Sequence, residues 1–136
     1  MIRALHTPAC LLVLGLSLGL PRIAPAQSAS ATWQATPASI LKTTLRNVVA
    51  AQDHYRATHP AFAPSVEALQ VEPGSDVRVQ ILGVTPNGWR AKATHRARPG
   101  RSCVVFVGQL NGDLPKTDGD GEMAGEERVP LCDRME

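Results

Sequence analysis

The sequence predicts an α+β domain: one long N-terminal amphipathic helix packed on a three-stranded antiparallel meander, with a disulfide-closed C-terminal loop. Three observations carry that expectation. From Ile40 to Tyr55 the apolar residues recur every three or four positions, whereas from Val77 onward they recur every two. The breaks Pro86-Asn87-Gly88 and Pro99-Gly100 are short, which favours neighbouring antiparallel pairing.

Residues 1–26 are set apart as an export signal. Arg3 supplies a positive start, Leu11 to Leu20 is an unbroken small-and-apolar run, and Ala24-Pro25-Ala26 is a small-x-small cleavage pattern. A membrane span needs roughly twenty apolar residues, about twice what this run offers before Pro21 and Pro25 break it. The mature chain is therefore expected to begin at Gln27 with no stable membrane span, exported to a periplasmic or extracellular space. Residues 27–35, small and polar, read as a flexible leader to a single domain over 36–136.

The helix starts where Thr36 can cap it and Pro37 fits its first position; Leu41, Leu45, Val48 and Tyr55 then face inward, and Lys42, Arg46, Asp53 and Arg56 outward. It stops before Pro60, because the residue ahead of a proline is pushed out of helical geometry. Ser65 caps a short turn whose Val66 and Leu69 pin the connection to the core. The first strand alternates Val77, Val79 and Ile81 with Arg78 and Gln80, and the second alternates Trp89, Ala91 and Ala93 with Arg90, Lys92 and Thr94. The third, Ser102 to Gly108, is almost wholly apolar. Beyond it, residues 110–136 are rich in Gly, Asp and Glu and carry no period.

The whole chain has 14 Lys and Arg against 12 Asp and Glu. Removing Arg3 and Arg22 with the signal makes the two equal, so overall charge gives no argument for nucleic acid. Cys10 leaves with the signal as well. The remaining Cys103 and Cys132, in an oxidising compartment, are most simply a disulfide, closing a loop of about 30 residues at a gain of roughly 3 kcal/mol. The competing readings are a catalytic thiol, which wants an unpaired Cys beside a His, and a metal half-site, which wants closer spacing and more ligands.

At residue level, Leu45-Arg46-Asn47-Val48-Val49-Ala50-Ala51-Gln52-Asp53-His54-Tyr55, then Phe62 and Ser65-Val66-Glu67-Ala68-Leu69, resembles the stretch in which the helix of a type IV pilin or type II secretion pseudopilin ends and leads through an aromatic to a short turn. Gly88-Trp89-Arg90-Ala91-Lys92-Ala93-Thr94-His95, followed by Cys103 and a valine-rich strand, is similar to that family's central strands. The resemblance covers about Pro37 to Cys132 and implies a pilin-like head. It departs at the start: no Gly-Phe cleavage site occurs, no glutamate precedes Glu67, and prolines and a Ser/Ala/Gln leader separate the apolar run from the helix. The expectation is an exported, non-enzymatic interaction or structural module of a bacterial cell envelope or of a secretion or pilus system. Its partners would be proteins of such an assembly.

Two charged clusters are candidate sites. Asp118, Asp120 and Glu122, with Glu126 and Glu127 behind them, offer oxygens to a hard cation, and the resemblance implies the acidic calcium loop of major pseudopilins. As an EF-hand the segment fails, since Met123 replaces the turn glycine and Val129 the bidentate glutamate; a solvated acidic loop without cofactor is the competing expectation. Arg90, Lys92, Arg96, Arg98 and Arg101 form the opposite cluster, with no acid among them. They suit an anion, a nucleic acid or envelope polymer, or else pair with the acidic loop; the few aromatics argue against nucleic acid. His54, His59 and His95 are the raw material of a third reading, a small hydrolase or redox enzyme, without a nucleophile elbow or metal spacing to accompany them.

Overall fold

The computed structural model describes residues 34–135; the expected signal, 1–26, and most of the leader, 27–35, lie outside the described residues. Helix α1 spans Pro37–Thr58. The Oγ1 of Thr36 accepts from the Ser39 amide at 3.2 Å, satisfying one of the helix's free N-terminal donors, and Pro37 occupies a first-turn position where no amide is needed. Leu41, Leu45, Val48 and Val49 are buried along one stripe. Gln52 continues that stripe and is 0% exposed, which a polar group tolerates only when bonded. Its amide closes a two-way pair with Ala63, Nε2 donating to the carbonyl and Oε1 accepting from the amide, each at 2.9 Å. The helix is thereby fastened to the chain that leaves it. His59, ahead of Pro60, is extended and ends the helix.

A single 3-10 turn, Glu67–Leu69, follows; the Ser65 hydroxyl accepts from the Ala68 amide at 3.3 Å, and Val66 and Leu69 are buried. The strands are β1, Val77–Thr85, β2, Gly88–His95, β3, Ser102–Gly108, and β4, Leu131–Cys132. They form one antiparallel sheet in the order β1-β2-β3-β4. The expected meander of three strands is thus a sheet of four. Strand β4 lies on the far edge of β3, with Cys132 opposite Cys103 and Leu131 opposite Val104. Two residues are too few to show any alternation, so this strand leaves no periodic trace in the sequence.

Between β1 and β2 the register slips at Ile81 and Gly83, a bulge that leaves Leu82 exposed and sets Arg78 opposite Thr94. Gly108 ends β3 at φ +71, and any Cβ there would collide with the Asn87 carbonyl, so the close approach of that loop requires glycine.

The two faces of the sheet are covered differently. Trp89, Ala91, Ala93, Cys103, Val105 and Val107 meet Leu41, Leu45, Val48 and Val49 of α1 in the main core. The opposite face presents Val104 and Phe106, covered by Ala124 with Leu110, Leu114 and Leu131. That smaller core belongs to residues 109–135, a clasp that crosses the back of the sheet and returns as β4. Among the described residues no helix is long and apolar enough to cross a membrane.

Candidate functional site

The clasp is organised around one carboxylate. The disulfide between Cys103 and Cys132 sets Asp133 beside Ser102, where its amide donates to the Ser102 carbonyl at 3.0 Å. The side chain, 3% exposed, then does what a bound anion would do. Oδ2 accepts from the amides of Ser102 and Gly119 at 2.7 and 2.9 Å, and Oδ1 accepts from the amide of Asp120 at 2.6 Å. Successive backbone N–H groups converging on an anion form a nest, and here the anion is the chain's own. Burial pushes the Asp133 carboxyl up, but the Thr117 hydroxyl and the amides of Asp120, Ser102 and Gly119 outweigh it and hold the group at about 2. So weak a base takes up no proton near neutral pH, and its chemistry is that of a staple.

The acidic loop folds outward from that staple. The Asp118 amide donates to the Ser102 Oγ at 2.8 Å, and Thr117 pairs with Glu122 through its amide at 2.9 Å and its Oγ1 at 3.1 Å. Of the expected calcium ligands, Asp118 faces Lys92 at 3.0 Å and Asp120 faces Arg101 at 2.6 Å, while Glu122 is exposed. The amide of Arg134 and the Arg101 guanidinium hold the Asp120 carboxyl below its ordinary value. Among the described residues no three His, Cys, Asp or Glu side chains converge into a metal set.

The five basic candidates fall into two groups. Arg90, Lys92 and Arg101 are spent on the clasp: Arg90 Nη1 donates to the Asp113 carbonyl at 2.5 Å, Lys92 meets Asp118, and Arg101 meets Asp120. Arg96 and Arg98 lie on the turn between β2 and β3. Arg96 pairs with Asp76 at 2.9 Å, and Arg98 Nε donates to the Met135 carbonyl at 2.9 Å. With Arg78 and His95 they line an open cavity of about 460 Å³. Sequence reasoning put Arg78 on a strand but not in this company, because the β1 bulge that sets it opposite Thr94 shifts the register by one residue.

The histidines of the helix end do not meet the cysteines. Tyr55 and His59 stack with ring centroids 3.8 Å apart, and His59 Nδ1 lies 3.0 Å from the Tyr55 carbonyl. His54 and His59 line a separate cavity of about 330 Å³ with Leu69 and Gln70. Both Cys103 and Cys132 are committed to the disulfide, so neither supplies a free thiol in this state. No protein-family model matches this sequence, and no curated protein does.

Proposed function

We propose that the chain is an exported, pilin-like module that acts by interaction or as a structural part of a bacterial envelope, secretion or pilus-related assembly. The observation that carries this reading is architectural. Among the described residues one α-helix lies across one face of an antiparallel sheet, and a C-terminal segment with little apolar content is stapled to the far edge of that sheet by Cys103–Cys132. That arrangement, over the same residues whose sequence resembles pilin and pseudopilin heads, supports the reading. The disulfide is compatible with an exported protein.

The clasp and the helix-free back of β1 and β2 would be the contact surface, since the other face of the sheet is filled by α1. Deleting the gene in its host and measuring surface filaments and secreted protein tests the proposal. Loss of either, restored by the full chain but not by a chain lacking residues 1–26, is the expected result. Unchanged filaments and unchanged secretion would overturn it.

A further inference from the structure

Several arginines of this protein are engaged within the molecule, and at one place three of them gather beside a single carboxylate. Arg90 and Arg101 are held by the clasp, and Arg128 pairs with Asp53 of α1. Around the cavity at the open end of the β1–β2 hairpin, however, Arg78, Arg96 and Arg98 face a single carboxylate, Asp76, which is already engaged by Arg96. Among the described residues lining the cavity, three guanidinium groups stand beside one carboxylate, a positive excess that favours an anion.

We propose that this cavity binds a dianionic oxyanion group of the phosphate-monoester type. The donors suit it. Among the described residues the Arg78 guanidinium makes no hydrogen bond or ion pair, so its whole fork is available. Arg96 is engaged through Nη2 alone, and Arg98 uses Nε on Met135 and Nη1 on the Ala97 carbonyl, which leaves Nη2. His95 Nδ1 accepts from the Ala97 amide at 3.1 Å, which holds the ring against the turn. Forked guanidinium groups match the oxygens of a phosphate in pairs, which a lone ammonium does not. The volume, about 460 Å³, holds a group of that size together with the small body it is attached to.

This site does not depend on the pilin-like reading; a phosphate-binding chain with no part in any assembly would satisfy it. The test follows the backbone amide resonances of Arg96, Arg98 and Gly100 in the chain as the cell exports it. Inorganic phosphate is titrated against sodium chloride of matched ionic strength, alongside vesicles of phosphatidylcholine with and without phosphatidic acid. Saturable shifts with phosphate and not with chloride support a soluble source, and binding confined to phosphatidic acid vesicles supports a lipid one. Arg78→Gln and Arg96→Gln should each weaken the response about tenfold, the worth of one charge-assisted contact. Arg90→Gln, outside the cavity, should leave it unchanged. Shifts that grow linearly, that chloride reproduces, or that survive both cavity substitutions would overturn the proposal, as would silence toward phosphate and vesicles alike.

Discussion

The two sides of the sheet are held by different physics. Toward α1, Trp89, Ala91, Ala93 and Val105 lie against Leu41, Leu45 and Val48, all 0% exposed, and order there follows from apolar area removed from water. Toward the clasp, Val104 and Phe106 meet only a thin cover, and order follows from backbone amides satisfied by Asp133 and from a disulfide that anchors the segment's end while packing in the main core. The contrast teaches that a segment too polar to build a core can still be fixed in place when a buried anion collects its backbone donors. The first kind of order is dispersed over many side chains; the second is concentrated in a few.

The largest effect is expected on the dispersed side. Trp89→Ala removes the biggest fully buried side chain and should cost about 3–5 kcal/mol, read from urea unfolding followed by circular dichroism. Because the same β2 carries Lys92 and Arg90 to the clasp, both sides should melt together. A variant in which the clasp stays protected while α1 exchanges would break the comparison.

Next comes the disulfide. Replacing Cys103 and Cys132 together by Ser frees a chain separation of 29 residues and should cost about 3 kcal/mol. Hydrogen exchange should rise first at Thr117, Asp118 and Asp120, whose amide contacts belong to the clasp, and later along β1. Equal acceleration on both faces would show that the disulfide staples the whole sheet and not one side of it.

These two regions also differ in how far the sequence reveals them. Helix α1 and strands β1 to β3 follow from period and punctuation, because each is long enough for its buried face to repeat: Leu41, Leu45 and Val48 on the helix, Trp89, Ala91 and Ala93 on β2. The cysteine pair follows from counting. What stayed hidden is β4, with two residues, and the nest around Asp133, whose donors lie 13 to 31 positions away among Gly, Asp and Ser with no period. One signal was there to use. If Cys132 is bonded to Cys103 across antiparallel strands, Asp133 must fall beside Ser102, and an aspartate at a buried edge needs donors, which Gly119 and Asp120 supply. The carboxylates of the acidic loop are adjacent in sequence, and in space Asp118 and Asp120 meet Lys92 and Arg101.

Asp133→Asn sharpens the comparison further. A carboxylate held at about 2 instead of its ordinary 3.8 binds its proton less readily folded than unfolded, so it contributes stability that is complete above about pH 5 and disappears as pH falls through 2. That contribution is about 2 kcal/mol at neutral pH. Urea midpoints measured at pH 7, 4 and 2 should therefore show the variant well below the native protein at pH 7, with the two converging at pH 2. Parallel curves would mean that the nest does not act through the charge of Asp133.

The smallest effect sits where the two regions touch. Arg128 belongs to the clasp, yet its guanidinium pairs with Asp53 on α1, and its amide donates to the Phe106 carbonyl of β3 at 2.8 Å. The backbone is in the left-handed region, φ +68, which disfavours any residue with a Cβ by about 1–2 kcal/mol. Both partners of the ion pair are about half exposed, so the pair itself is worth under about 1 kcal/mol. Arg128→Ala loses the pair and keeps the strain; Arg128→Gly loses the pair and releases it, while the bond to Phe106 survives in both. The glycine variant should therefore equal or slightly exceed the native protein in stability, and the alanine variant should fall below both. If alanine and glycine prove equal, no strain is stored at this position. If glycine is the less stable of the two, the freedom glycine adds to the unfolded chain outweighs the strain released at this φ, and the ion pair to Asp53 is read from the native protein against alanine alone.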